Sequence, residues 1–163
     1  MTIGIRGRLV ASAAALGLLF AATAAGAAPV SGTCTPAKVA FAASAITESA
    51  TGSTTFVRVP EARVRLVQGG SQPSCVLVQF SAHAFASAGN SLVLKARLDK
   101  SISGLPRTFQ FSGDDPGLYR TRTAVFIFPD IAPGAHTLQL LFRSVTGERV
   151  EIGVHNTIVH FAP

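Results

Sequence analysis

From Ala135 to Arg143 the side chains alternate: His136, Leu138, Leu140 and Phe142 share one side, and Thr137, Gln139 and Arg143 share the other. A pleated backbone sends successive side chains to opposite faces, so a period of two is the mark of a half-buried strand. Thr146-Gly147-Glu148 follows as a tight turn in which Gly147 can take a positive φ, and Val150, Ile152 and Val154 alternate beyond it. The stretch Gly134–Phe161 therefore predicts two strands joined as a hairpin at the centre of a sheet, with a third folding back after Asn156.

The same alternation returns along the chain. Ser74–Phe85 sets Val76, Val78, Phe80 and Ala82 against Cys75, Leu77, Gln79 and Ser81. In Ser91–Leu98 the leucines at 92, 94 and 98 and Ala96 face inward while Lys95 and Arg97 face water. Lys38–Thr47 reads as a first strand with Val39, Phe41 and Ala43 on one face. Thr54–Val59 and Ala62–Gln68 are strand-like and broken at Pro60, which cannot donate to a ladder. Arg107–Ser112 is a short strand. Tyr119–Phe128 becomes wholly apolar from Ala124, the pattern of a strand covered on both sides. Gly, Pro, Asn and Asp punctuate these runs, and no stretch holds a helical period for three turns beyond the N-terminal segment. The fold class that follows is all-β: one two-sheet antiparallel β-sandwich of about eight to ten strands.

The first 27 residues read as an export signal. Arg6 and Arg8 precede the apolar Leu9–Phe20, and Ala25-Gly26-Ala27 offers the small residues that a signal peptidase cuts after. Cleavage there leaves residues 28–163 as a single domain with no membrane span. The whole chain carries a formal charge of +6; the leader holds two of the 14 basic residues and no acid, leaving +4. Such a mild excess in an exported chain argues against nucleic acid as a partner. Only two cysteines occur, Cys34 and Cys75, and in an oxidising compartment the pair predicts one disulfide.

The segment from Pro133 onward, a Pro-Gly-x-His-Thr opening, an alternating strand ending in Arg143, a glycine turn and a last strand to Phe161, resembles the C-terminal hairpin of jelly-roll domains. Small secreted bacterial proteins of unknown function and phage-tail or tumour-necrosis-factor-like heads carry such domains. The resemblance covers about 30 residues. It implies a jelly-roll-like sandwich and brings no functional residue with it.

Chemistry is sparse. No G-x-S-x-G elbow, H-E-x-x-H or C-x-x-C occurs. Asp114-Asp115 sits in a G-D-D-P-G turn, where aspartate bonds nearby amides; a calcium site with Asp130 is the rival reading. His155 and His160 are five apart and face opposite sides of a regular strand, so they cannot share an ion. The expectation is a chain without cofactor, metal or catalytic residues. A hydrolase whose site assembles only in space, from a histidine and one of the eight acids, is the enzymatic alternative. The basic residues form the one pattern of interest. Arg63 with Arg65, Lys95 with Arg97, and Arg120 with Arg122 are each two apart, so neighbouring strands would align them as a cationic stripe. Such a stripe suits an anionic polymer of the cell envelope. Leu77, Val93 and Leu141, on otherwise polar faces, suggest some apolar exposure and self-association.

Overall fold

The computed structural model describes residues 34, 36–44, 48–113 and 117–163, within a compact unit that runs from Gly32 to Pro163. The expected export signal lies outside the described residues, as do Thr47, Asp114 and Asp115. Among the described residues the unit is all-β, with eleven strands: β1 (Lys38–Ser44), β2 (Ser49–Thr51), β3 (Val57–Arg58), β4 (Val64–Gln68), β5 (Ser74–Ala86), β6 (Leu92–Leu98), β7 (Ile102–Ser103), β8 (Phe109–Ser112), β9 (Arg120–Ile131), β10 (Gly134–Ser144) and β11 (Val150–Phe161).

They form two antiparallel sheets. The five-stranded sheet runs β1-β11-β5-β9, with β2 also on β11. The six-stranded sheet runs β3-β10-β6-β7, with β4 on β10 and β8 on β6. Long strands adjacent in sequence thus lie in opposite sheets, and the chain wraps back and forth across the core as a jelly roll does. Between the layers pack Val76, Val78 and Phe80 of β5, the leucines of β6, Phe126 and Phe128 of β9, Leu138, Leu140 and Phe142 of β10, and Ile152 and Val159 of β11. These are the inward positions that the alternation of β5, β6 and β10 predicts. The bridge Cys34–Cys75 is formed and ties the chain ahead of β1 to the start of β5.

Three expectations are corrected. The predicted hairpin does not exist: β10 pairs with β6, β3 and β4, whereas β11 pairs with β1, β5 and β2. The glycine turn, with Gly147 at φ 95°, carries the chain from one sheet to the other. No third strand begins after Asn156. β11 instead continues through a bulge between Ile152 and His155, which reverses its sidedness, so that Val150 and Ile152 point inward before it and His155, Thr157 and Val159 after it. Such an extra residue bends a strand and shifts its register without ending it. Finally, β9 is not covered on both sides. It is an edge strand whose Phe126 and Phe128 are buried while Val125 and Ile127 are exposed. Pro129 sits near its end, a position an edge strand tolerates.

The turn after β10 is held by Asn90, which is buried. Its side-chain oxygen accepts the amides of Ser91 at 2.8 Å, Val145 at 3.2 Å and Thr146 at 3.1 Å, and the Ser144 hydroxyl at 3.1 Å. Its Nδ2 donates to the Glu148 carbonyl at 2.8 Å, and Ser144 Oγ accepts from the Gly147 amide at 2.9 Å. One side chain therefore satisfies most of the polar backbone of the crossover.

Candidate functional site

The outward side of the six-stranded sheet is cationic. Register places Arg58, Leu141 and Lys95 in one row across β3, β10 and β6, and Gln139 beside Arg97. Thr137 pairs with Arg65, and Arg143 with Val93. Directly opposed residues of an antiparallel pair share a face, so Arg58, Arg65, Lys95, Arg97 and Arg143 all project from it, and Arg63 precedes β4 with the same sidedness. Lys95 and Arg143 lie over the Phe56 ring, 5.8 Å and 5.4 Å from its centre, where the ring's negative face draws them. Partial burial, and then the like charges of Arg97 and Arg107, hold the Lys95 pKa below the ordinary lysine value. Among the described residues no carboxylate pairs with Arg63, Arg65, Lys95 or Arg97.

Four of the six expected stripe residues are thereby brought together. The other two are not. Arg120 and Arg122 lie on β9, in the opposite sheet, paired with the buried Ala84 and Ala82. They share the sidedness of Ala124 and Phe126, so they belong to the core side at the end of that strand. Arg58 and Arg143 join the stripe by register, and the charge of Arg107 is close enough to act on Lys95. No two-residue spacing marks Arg58 or Arg143, and only the strand order identifies them. Leu141 is not exposed: it is buried at 8%, between Arg58 and Lys95 in their shared row, while Leu77 and Val93 are half-buried.

Along the open side of the sandwich, where β4 approaches β1, the cationic face runs into a groove of about 580 Å³. Lys38, Arg63 and Arg65 line it together with Val67, Ala135 and Phe161. His136, at its end, is a fixed part of the wall. Its Nδ1 meets Asp99 Oδ2 at 2.6 Å and its Nε2 meets the Ala132 carbonyl at 2.9 Å, and Asp99 Oδ1 accepts the Thr137 amide at 2.8 Å. Both ring nitrogens face acceptors, which calls for the doubly protonated imidazolium. Burial alone would lower the His136 pKa, but the bonds to Asp99 and Ala132 outweigh it and raise the value. Burial likewise works to raise the Asp99 pKa, and His136 and the Thr137 amide reverse this and lower it.

The clasp has a pH signature. A raised histidine contributes in full below the ordinary imidazole value, about 6.5, and fades as pH rises through its folded value; a lowered aspartate contributes in full above about 3.9 and fades as pH falls through its own. The pair is complete between those limits. Asp99→Asn should therefore lose most stability against the parent near pH 5.5, with the deficit narrowing toward pH 9 in urea unfolding. An equal deficit at both values would show that the pair contributes nothing as an ion pair.

A second histidine and carboxylate flank a smaller recess of about 290 Å³ at the β11 bulge, lined by Glu48, His83, Tyr119, Gly153 and Val154. Tyr119 donates its hydroxyl to Glu151, which also pairs with Arg149. The hydrogen bond to Glu151, with burial adding to it, pushes the Tyr119 pKa up to about 12. His136 has both nitrogens bonded; among the described residues the walls of the recess contain no serine, cysteine or lysine, whereas His83 also borders an adjoining recess of about 350 Å³ with Ser81, Thr121 and His155. His155, buried beneath the bulge, bonds the Gly153 carbonyl through Nδ1 at 3.0 Å and stacks obliquely on Phe80. His160 points to the opposite side, as its spacing predicts. Among the described residues no three His, Cys, Asp or Glu side chains converge as a metal site.

Comparison with known proteins bears on the fold alone. No protein-family model matches the chain, and no curated protein does. The VP2 subviral particle of infectious bursal disease virus superposes with a TM-score of 0.53 at 10% identity, over 77% of this chain and 32% of that one. The architecture is jelly-roll-like. This chain spans about a third of the VP2 chain's length. A family two carbohydrate esterase from Cellvibrio japonicus also matches, at 18% identity over 77% of this chain and 36% of that one, but its TM-score of 0.30 supports no argument.

Proposed function

We propose that the chain is an exported, non-catalytic binding module of the cell envelope or exterior, and that it holds anionic polymers on the outward face of its six-stranded sheet. The observation that carries this reading is the gathering of Arg58, Arg63, Arg65, Lys95, Arg97 and Arg143 on one surface. Asp99, the acid at the end of β6, is already taken by His136 and Thr137. Closely spaced cations not neutralised by carboxylates raise the local concentration of a polyanion and are strongly screened by salt. The groove beside Arg63 and Arg65 extends the surface and gives a polymer a track to lie in. The Cys34–Cys75 bridge supports export, because disulfides persist in oxidising compartments.

Retention on immobilised heparin tests the reading. Binding should weaken steeply with salt, and the combined Arg65→Ala and Arg97→Ala changes should lower the slope of log affinity against log salt by about two, roughly one per lost contact. Arg120→Ala removes one charge from the other sheet, half of what the pair removes, and should leave the slope nearly unchanged. If all three behave alike, net charge alone governs retention and the face is only a solvated surface.

A further inference from the structure

The two outward faces of the sandwich differ in kind. On the five-stranded sheet, register sets Val39, His160, Leu77 and Ile127 in one row across β1, β11, β5 and β9. Phe41, Ile158, Gln79 and Val125 form the next, and Ala43, Asn156, Ser81 and Thr123 the third. None of these twelve positions carries an Asp, Glu, Lys or Arg. Phe41 is 77% exposed and Val39 58%, and Val125, Ile127 and Val154 on the same side are exposed as well. A contiguous apolar face rimmed by polar groups marks a contact surface. Isolated apolar residues on a surface need no such account, but two aligned rows carrying Val39, Leu77, Ile127, Phe41, Ile158 and Val125 do.

The geometry points to a second copy of this chain as the occupant, packed face to face about a two-fold axis. Charge decides the pairing. Docking this face on the cationic sheet of another copy would bury arginines with no partner, a cost that removes the gain. Laid against itself, the face buries no formal charge. The contact is then isologous and closes at two copies, because the surfaces left outward on the dimer are both cationic and repel further addition. Four strands and five residues span a face of about 19 by 17 Å, and with side-chain relief two copies would bury on the order of 1,000 Å² in total. That is the lower end for a specific interface, so the dimer forms at micromolar or higher concentration. Phe41, the largest exposed side chain on the face, is its anchor.

Sedimentation velocity of the processed, oxidised protein over a concentration series tests this. The expected result is a monomer–dimer equilibrium with no larger species, unchanged or strengthened by salt. Phe41→Asp should weaken the dimer at least tenfold while leaving the unfolding midpoint within experimental scatter, since the side chain contributes little to the core. Arg97→Glu, on the opposite sheet, should still dimerise. A protein monomeric to millimolar concentration overturns the proposal. So does growth beyond dimers, or a Phe41→Asp variant that associates like the parent. Binding of the monomer to neutral phosphatidylcholine vesicles, lost in Phe41→Asp, would overturn it in favour of a lipid-facing surface. None of these outcomes depends on heparin retention, which reads the other sheet.

Discussion

A chain carrying Cys34→Ser and Cys75→Ser is expected to be about 4 kcal/mol less stable than the oxidised parent, the cost of freeing a 41-residue separation in the unfolded state. The location of the loss follows from the topology. Among the described residues β1 is an edge strand that pairs only with β11, and the bridge holds the chain ahead of it to the start of β5. Without the bridge, β1 has one ladder and the half-buried Ala40 and Ala42 to keep it in place. Its amides should lose hydrogen-exchange protection before those of β5 or β10. The column of Val39 and Phe41 goes with it, so the unbridged chain should also dimerise more weakly. Urea unfolding and exchange measured on the same sample would check both. A loss below 1 kcal/mol, with β1 still protected, would mean that pairing with β11 alone secures the strand.

How much of this was legible beforehand varies with the range of the forces involved. The sides of β5, β6 and β10 follow from alternation, because which face a residue occupies depends only on the pleat of its own strand. Partners do not follow in the same way. A glycine turn after β10 looks the same whether the next strand pairs with it or crosses to the other sheet, so the apparent hairpin was indistinguishable from a crossover. The reversal in β11 rests on one inserted residue near Gly153, and nothing in the run of valine and isoleucine announces it. Arg120 and Arg122 are a different case. They have the same sidedness as Phe126 and Phe128, and that pattern alone excluded them from an outward stripe. The apolar run 124–128 was legible as a strand, but its meaning changed with position. In a central strand it signifies cover on both sides; at the edge, where β9 lies, it leaves Val125 and Ile127 on an uncharged outer face. The Asp99–His136 clasp joins residues 37 apart and becomes visible only once β6 and β10 are known to be neighbours.

Asn90→Ala should be the most damaging single substitution outside the apolar core and the disulfide. The crossover from β10 to β11 must turn five residues between two sheets, and the amides of Val145, Thr146 and Gly147 at its start bond the side chains of Asn90 and Ser144, Val145 meeting the Ser91 carbonyl as well. Asn90 answers this by accepting from Ser91, Val145 and Thr146 while donating to Glu148. Alanine would leave those partly buried groups, and the fully buried Ser144 hydroxyl, without that partner. Each unsatisfied group costs on the order of 1 kcal/mol or more, so a loss of about 3 kcal/mol is expected in urea unfolding. Asn90→Asp separates the two halves of the network. It keeps an acceptor for the three amides but sets a carboxylate oxygen against the Glu148 carbonyl, and it should lose less than alanine at neutral pH. If alanine and aspartate cost the same, donation to Glu148 holds the turn and the accepted bonds are incidental; if neither costs more than 1 kcal/mol, the crossover is held by the packing of Phe142 and Val150 on either side of it.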